Sequence, residues 1–169
     1  INGRSRGVRR KADSHQYHVM WRVAFEPGEA KVVARRDGRV VAEQAHRTAG
    51  APSALCMSVD YRGRDLTFIT VEVVDEHGTV CPWAENMIEF SADGGAEIVA
   101  TDNGCQTSME RFTVPRRKAF FGRCMVVVKG KGNIRARSIG LKPAEVISLS
   151  EGSSDRTSSS SPSVSSSLP

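Results

Sequence analysis

From Leu66 to Pro82 the chain reads LTFITVEVVDEHGTVCP. Ile69, Val71 and Val73 alternate with Thr70 and Glu72, which predicts a strand with one buried face and one wet face. Asp75-Glu76-His77-Gly78 follows as turn chemistry, with Gly78 able to take positive φ, and Thr79-Val80 starts a return strand. The pattern is that of a hairpin in a β-sandwich, a scaffold rather than a reactive centre.

The same periodicity organises the rest. Tyr17, Val19, Trp21, Val23 and Phe25 fall on one face of a predicted strand with a buried aromatic side, Trp21 at its core. Glu26-Pro27-Gly28-Glu29 reads as a type II turn. Lys31 to Arg35 and Arg39 to His46 form two strands joined at Asp37-Gly38, a tight hairpin signal. Three strands do not make an independent sandwich, so residues 1–48 read as the last strands of an incomplete one, its remaining strands expected ahead of Ile1.

The small residues and proline of Thr48 to Pro52 mark a boundary. Further strands are predicted at Ala54–Val59, Leu66–Val74, Thr79–Val80, Met87–Ser91, Ala96–Ala100, Ser108–Thr113, Cys124–Lys129 and Ile134–Ser138. Turn signals lie between them, and the aromatics of Ala119-Phe120-Phe121-Gly122 are expected to cap the core. Short strands at such spacing argue an all-β, immunoglobulin-like β-sandwich over residues 49–150. Residues 151–169 are mostly serine and are expected to be a disordered tail.

Charge adds little to this picture. The net charge is +5, and basic residues cluster at Arg4 to Lys11, Arg35 to Arg39 and Arg116-Arg117-Lys118. Without interleaved aromatics or a reading helix they read as solvated turns and strand edges, so no nucleic-acid partner is expected. No apolar run is long enough to span a membrane. None of the four cysteines forms a C-x-x-C pair. Cys56 and Cys124 read as small core residues, Cys81 and Cys105 as turn residues, and all four as free thiols.

Candidate chemistry is sparse. Asp60, Asp65, Asp75, Glu76, Glu85, Asp93 and Asp102 lie almost entirely in turns, not as two carboxylates facing across a cleft. The four histidines lack metal-ligand spacing beyond the pair His15 and His18. No catalytic residue, cofactor site or metal site is therefore assigned. Trp83, following Pro82 in a loop, and Asp102-Asn103, ahead of Gly104, are the candidate residues for glycan or interdomain contact. The alternative for Asp102-Asn103 is a turn closed by its own side-chain hydrogen bonds.

Several stretches together resemble a known family. They are Lys11-Ala12-Asp13, His18 to Val23, Phe25 to Gly28, Lys31 to Ala34, Asp37-Gly38, Arg47 to Pro52 and Asp65 to Asp75. The likeness continues at Gly78, Val80, Pro82, Ala84, Asn86, Phe90, Asp102-Asn103-Gly104, Ser108, Glu110, Phe112, Arg117 to Phe120 and Gly122 to Cys124. Over residues 7–147 they resemble the C-terminal region of glycoside hydrolase family 2 β-galactosidases of the Bacteroidetes type. The resemblance implies accessory β-sandwiches that follow a TIM barrel, with the acid/base and nucleophile glutamates in that barrel, so none carries over here. It further implies an upstream catalytic domain as partner, galactoside-containing glycans as ligands, oligomers formed through the parent enzyme, and a periplasmic or secreted location. Cys81, Cys105 and the serine-rich tail depart from the pattern. An immunoglobulin-like spacer of a bacterial surface adhesin is the alternative reading.

Overall fold

The computed structural model describes residues 1–146; the predicted tail at 151–169 lies outside the described residues. The chain is all-β, with one short 3-10 turn, Lys11–Asp13, among the described residues.

Strands β1 (Glu29–Arg36) and β2 (Arg39–Arg47) form a two-stranded antiparallel sheet. Asp37 and Gly38 both take positive φ, 50° and 78°. That is the turn whose twist matches a two-residue hairpin, and it is why the Asp-Gly pair sits there. All of β2 is exposed, and so is β1 beyond Glu29. The sheet is clamped at its base from the amino end. Asn2 Nδ2 donates to the Pro27 carbonyl at 2.9 Å, and Glu29 N–H donates to Asn2 Oδ1 at 2.8 Å.

The remaining strands are β3 (Ala54–Arg62), β4 (Leu66–Val74), β5 (Met87–Ala92), β6 (Glu97–Asp102), β7 (Arg116–Lys118), β8 (Arg123–Lys129), β9 (Ile134–Arg137) and β10 (Ala144–Val146). They make two four-stranded sheets, ordered β3-β4-β8-β6 and β10-β9-β5-β7, with every ladder antiparallel. This is the immunoglobulin-like sandwich. Ile69, Val71 and Val73 of β4 are fully buried, as their alternation requires, against Val126 and Val128 of β8 and Ile88, Ile134 and Ala136 of the facing sheet. Each such Ile or Val side chain contributes roughly 1.5–3 kcal/mol on burial. The outer edge of β3 is not left open. Ala54 forms a parallel bridge with Lys142, Leu55 N–H donating to the Lys142 carbonyl at 2.9 Å.

Several expectations are corrected. Tyr17 to Phe25 is not a strand. The segment has the right alternation, yet no described strand lies alongside to supply ladder bonds. Tyr17 and Phe25 are exposed and Trp21 is half-buried rather than core. Thr79–Val80 gives only an isolated bridge, Val80 to Val74. Ser108–Thr113 is loop, its Glu110 and Arg111 carbonyls taken by a side chain, as described below. Cys56 points outward from β3, since Leu55 and Met57 take the inner face. Cys81 does open a turn, and it is fully buried there. Phe121 is exposed, at φ 50°, in the turn before β8. Gly122 beside it takes φ 75°, and a Cβ there would lie 2.3 Å from the Cys81 carbonyl oxygen, so only glycine fits.

Candidate functional site: the Trp83 groove and the Asp102 turn

Trp83 is carried on a tight turn. Ala84 N–H donates to the Cys81 carbonyl at 3.0 Å, with Pro82 in the second position where its fixed φ suits the bend. Cys81 and Ala84 are buried on either side, so the intervening indole is pushed outward and is 56% exposed. It borders an apolar groove of about 500 Å3 whose other walls include Ile1, Val23, Phe25, Ala49 and Val80. The groove thus lies between the amino-terminal segment and the sandwich.

The Asp102 turn is built differently. Asp102 Oδ1 accepts from the N–H groups of Asn103 and Gly104 at 2.7 and 3.1 Å, and Gly104 takes φ 71°. Asn103 Oδ1 accepts from Cys105 N–H at 3.0 Å, while its Nδ2 donates to the Lys118 carbonyl at 2.8 Å. Both side chains are engaged in the turn and in tying β6 to β7. The groove that Trp83 borders is lined by neither Asp102 nor Asn103.

Beside that turn lies Arg117, which the sequence reading placed in solvent with Arg116 and Lys118; this is corrected, since Arg117 is 1% exposed. Its Nη2 donates to the carbonyls of Thr101 (2.6 Å) and Arg111 (3.1 Å), its Nη1 to that of Glu110 (3.3 Å), and its Nε to Thr101 Oγ1 (3.3 Å). Glu110 Oε2 lies 3.8 Å from Nη1, and the Phe112 ring centroid 5.1 Å from the guanidinium carbon. A buried cation therefore organises the loop from Cys105 to Val114, using its carbonyls in place of a ladder. The one signal available was the register: Arg117 falls between two outward positions and just ahead of buried Ala119.

The acids are held locally. Asp75, 3% exposed, accepts three backbone N–H groups, Asp60 accepts from the Thr70 hydroxyl, and Glu72 pairs with Arg123 at 2.8 Å. The Asp75 carboxyl is held below its ordinary 3.8, chiefly by the Gly50 N–H. Glu85 pairs with Lys118 at 2.6 Å and raises the lysine's pKa through that hydrogen bond. Among the described residues no group of three or more His, Cys, Asp or Glu comes together to hold a metal. What the surface offers is an apolar groove with an exposed indole at its rim.

Known proteins resemble the chain at both ends. The family model for Glycoside hydrolase family 2 C-terminal domain 5 matches residues 54–147. A second, for a domain of unknown function (DUF4982), matches residues 1–42. Beta-galactosidase BoGH2A of Bacteroides ovatus is 47% identical over 154 residues, covering 85% of this chain and 18% of that protein. A glycosyl hydrolase family 2 member from Bacteroides cellulosilyticus superposes with a TM-score of 0.69 at 28% identity, covering 77% of this chain and 19% of that one. A beta-glycosidase from Bacteroides vulgatus, at 24% identity, shares the fold with a TM-score of 0.69 over 76% of this chain and 18% of its own. The chain spans about a fifth, or less, of the length of these relatives.

Proposed function

The chain belongs to the glycoside hydrolase family 2 C-terminal domain 5 family, and from that premise we propose that it is a non-catalytic accessory region of a β-galactosidase-like hydrolase. The observation that carries the reading is the 47% identity to a β-galactosidase of which the chain covers only 18%. That proportion leaves room in a longer polypeptide for a catalytic domain holding the paired glutamates. The acids of the described residues support the same reading, since Asp75, Asp60, Glu72 and Asp102 are held by turns and by neighbouring strands.

The role is packing. The groove walled by Trp83, Val23, Phe25 and Val80 is an apolar surface suited to packing against another part of a longer polypeptide. Burying an aromatic side chain there contributes on the scale that dominates interfaces. In this reading Asp102 and Asn103 act as turn-builders, and the sandwich shapes the cleft edge or the oligomer of its parent. The second reading, sugar stacking on Trp83, is favoured by the exposure of the indole.

One purified sample tests both. The 169-residue chain is assayed against a nitrophenyl β-galactoside and titrated calorimetrically with galacto-oligosaccharides. The expected outcome is no hydrolysis above the blank and no heat at millimolar sugar. Hydrolysis by the chain alone would overturn the non-catalytic reading. Saturable heat that disappears in Trp83→Ala would put sugar binding ahead of packing.

A further inference from the structure

Asp75 lies where the turn after β4 meets the linker between the hairpin sheet and the sandwich. Its Oδ1 accepts from His77 N–H at 2.9 Å and Thr79 N–H at 2.8 Å. Those two bonds close the turn to which Asp75 belongs, and an Asx turn needs no more. The third bond does something else. Oδ2 accepts from the N–H of Gly50 at 2.7 Å, 25 residues back along the chain.

Gly50 is held from a second direction, because the Cys81 thiol donates to the Gly50 carbonyl at 3.5 Å. Ala49, one residue earlier, packs on the sandwich core and lines the Trp83 groove. Three residues later, Ser53 N–H donates to the Val74 carbonyl at 2.8 Å. The linker is therefore fixed on the end of β4 just where it must choose a direction toward β2.

We propose that Asp75 is an orientation latch, whose carboxylate fixes the angle at which the β1–β2 hairpin leaves the sandwich and so sets the shape of the Trp83 groove. A carboxylate suits the task because it is purely an acceptor and can serve three N–H groups at once. An amide in its place would present an NH2 to one of those donors. The titratable group that acts on Asp75 is His77 of the same turn, while Asp75 in turn pushes up the thiol of Cys81 beyond it. With its carboxyl held below 3.8, the latch is ionised at neutral pH. Its contribution is lost only as pH falls through that lowered value.

The test is made on the whole chain, with residual dipolar couplings for the hairpin (29–47) and the sandwich (54–146). One alignment tensor is expected to fit both in the wild type. The same holds for Gly50→Ala, which keeps the N–H and places its Cβ at an ordinary 3.5 Å from Asp75 Oδ2. Asp75→Asn is expected to need two tensors while couplings within the sandwich stay unchanged. A single tensor in Asp75→Asn, or two tensors already in the wild type, overturns the latch. Hydrogen exchange in the wild type decides the matter should Asp75→Asn not fold. The Gly50 amide should exchange roughly tenfold more slowly than that of Ala51 next to it, and equal rates overturn the proposal.

Discussion

Arg117 sits in the middle of a run, Arg116-Arg117-Lys118, that composition assigns to solvent, and strand alternation turns it inward. The guanidinium carries five N–H donors in a planar fork and no acceptor. Around it stand the carbonyls of Thr101, Glu110 and Arg111, the Thr101 hydroxyl and the ring of Phe112. A buried charge with that many partners is stable, but removing it strands several acceptors at about 1–3 kcal/mol each. Arg117→Met, measured by urea unfolding, should lose about 3–5 kcal/mol. A loss below about 1 kcal/mol, the scale of a surface substitution, would show that the loop carbonyls find water instead.

Strand identity was legible wherever a patterned segment found a partner. β4 occupies the range that its alternation outlines, because Ile69, Val71 and Val73 meet a facing sheet. Tyr17 to Phe25 carries an equally clear pattern, but a pattern specifies only which side chains share a face. The ladder must come from another backbone. β7 and β10 were missed because three residues are too few to show a period, and Ser108 to Thr113 was misread because nothing in it announces that Arg117 takes its carbonyls. The candidate site was legible in part. Trp83 announced its exposure through Pro82, whereas the groove beside it depends on long-range packing.

Alternation also sorts the thiols, and here the elements make a prediction. Cys56 faces out of β3, and Cys105 lies in a loop where the Thr107 hydroxyl lowers its pKa. Cys124 faces into the sandwich from β8, and burial pushes its thiol up to about 12. Burial likewise raises the Cys81 thiol, with Asp75 adding to the effect. Since the thiolate is the reactive species, a disulfide reagent at neutral pH should label Cys105 and Cys56 in the native chain, and Cys81 and Cys124 only after unfolding. Native labelling of Cys124 would contradict its place in the core.

At the scale of the molecule, protection should be uneven. β4 and β8 lie at the centre of one sheet with a fully buried inner face, while β1 and β2 stand as a pair with exposed faces. Amides of β4 and β8 should exchange only through global opening, and those of β1 and β2 through local opening, orders of magnitude faster. A hairpin as well protected as β4 would mean that something covers it in solution.

The bridge between Ala54 and Lys142 bears on how such a chain is made. It joins the first strand of the sandwich to its last stretch, and the strands β9 and β10 that complete the second sheet are late in order as well. A ribosome working at about 5–20 residues per second delivers the amino end first. The β3–β4 hairpin therefore waits several seconds, its apolar face uncovered, before the residues that seal it have been synthesised. Birth is the most exposed interval in the life of this fold, and a nascent-chain chaperone would meet β4 before β9 does.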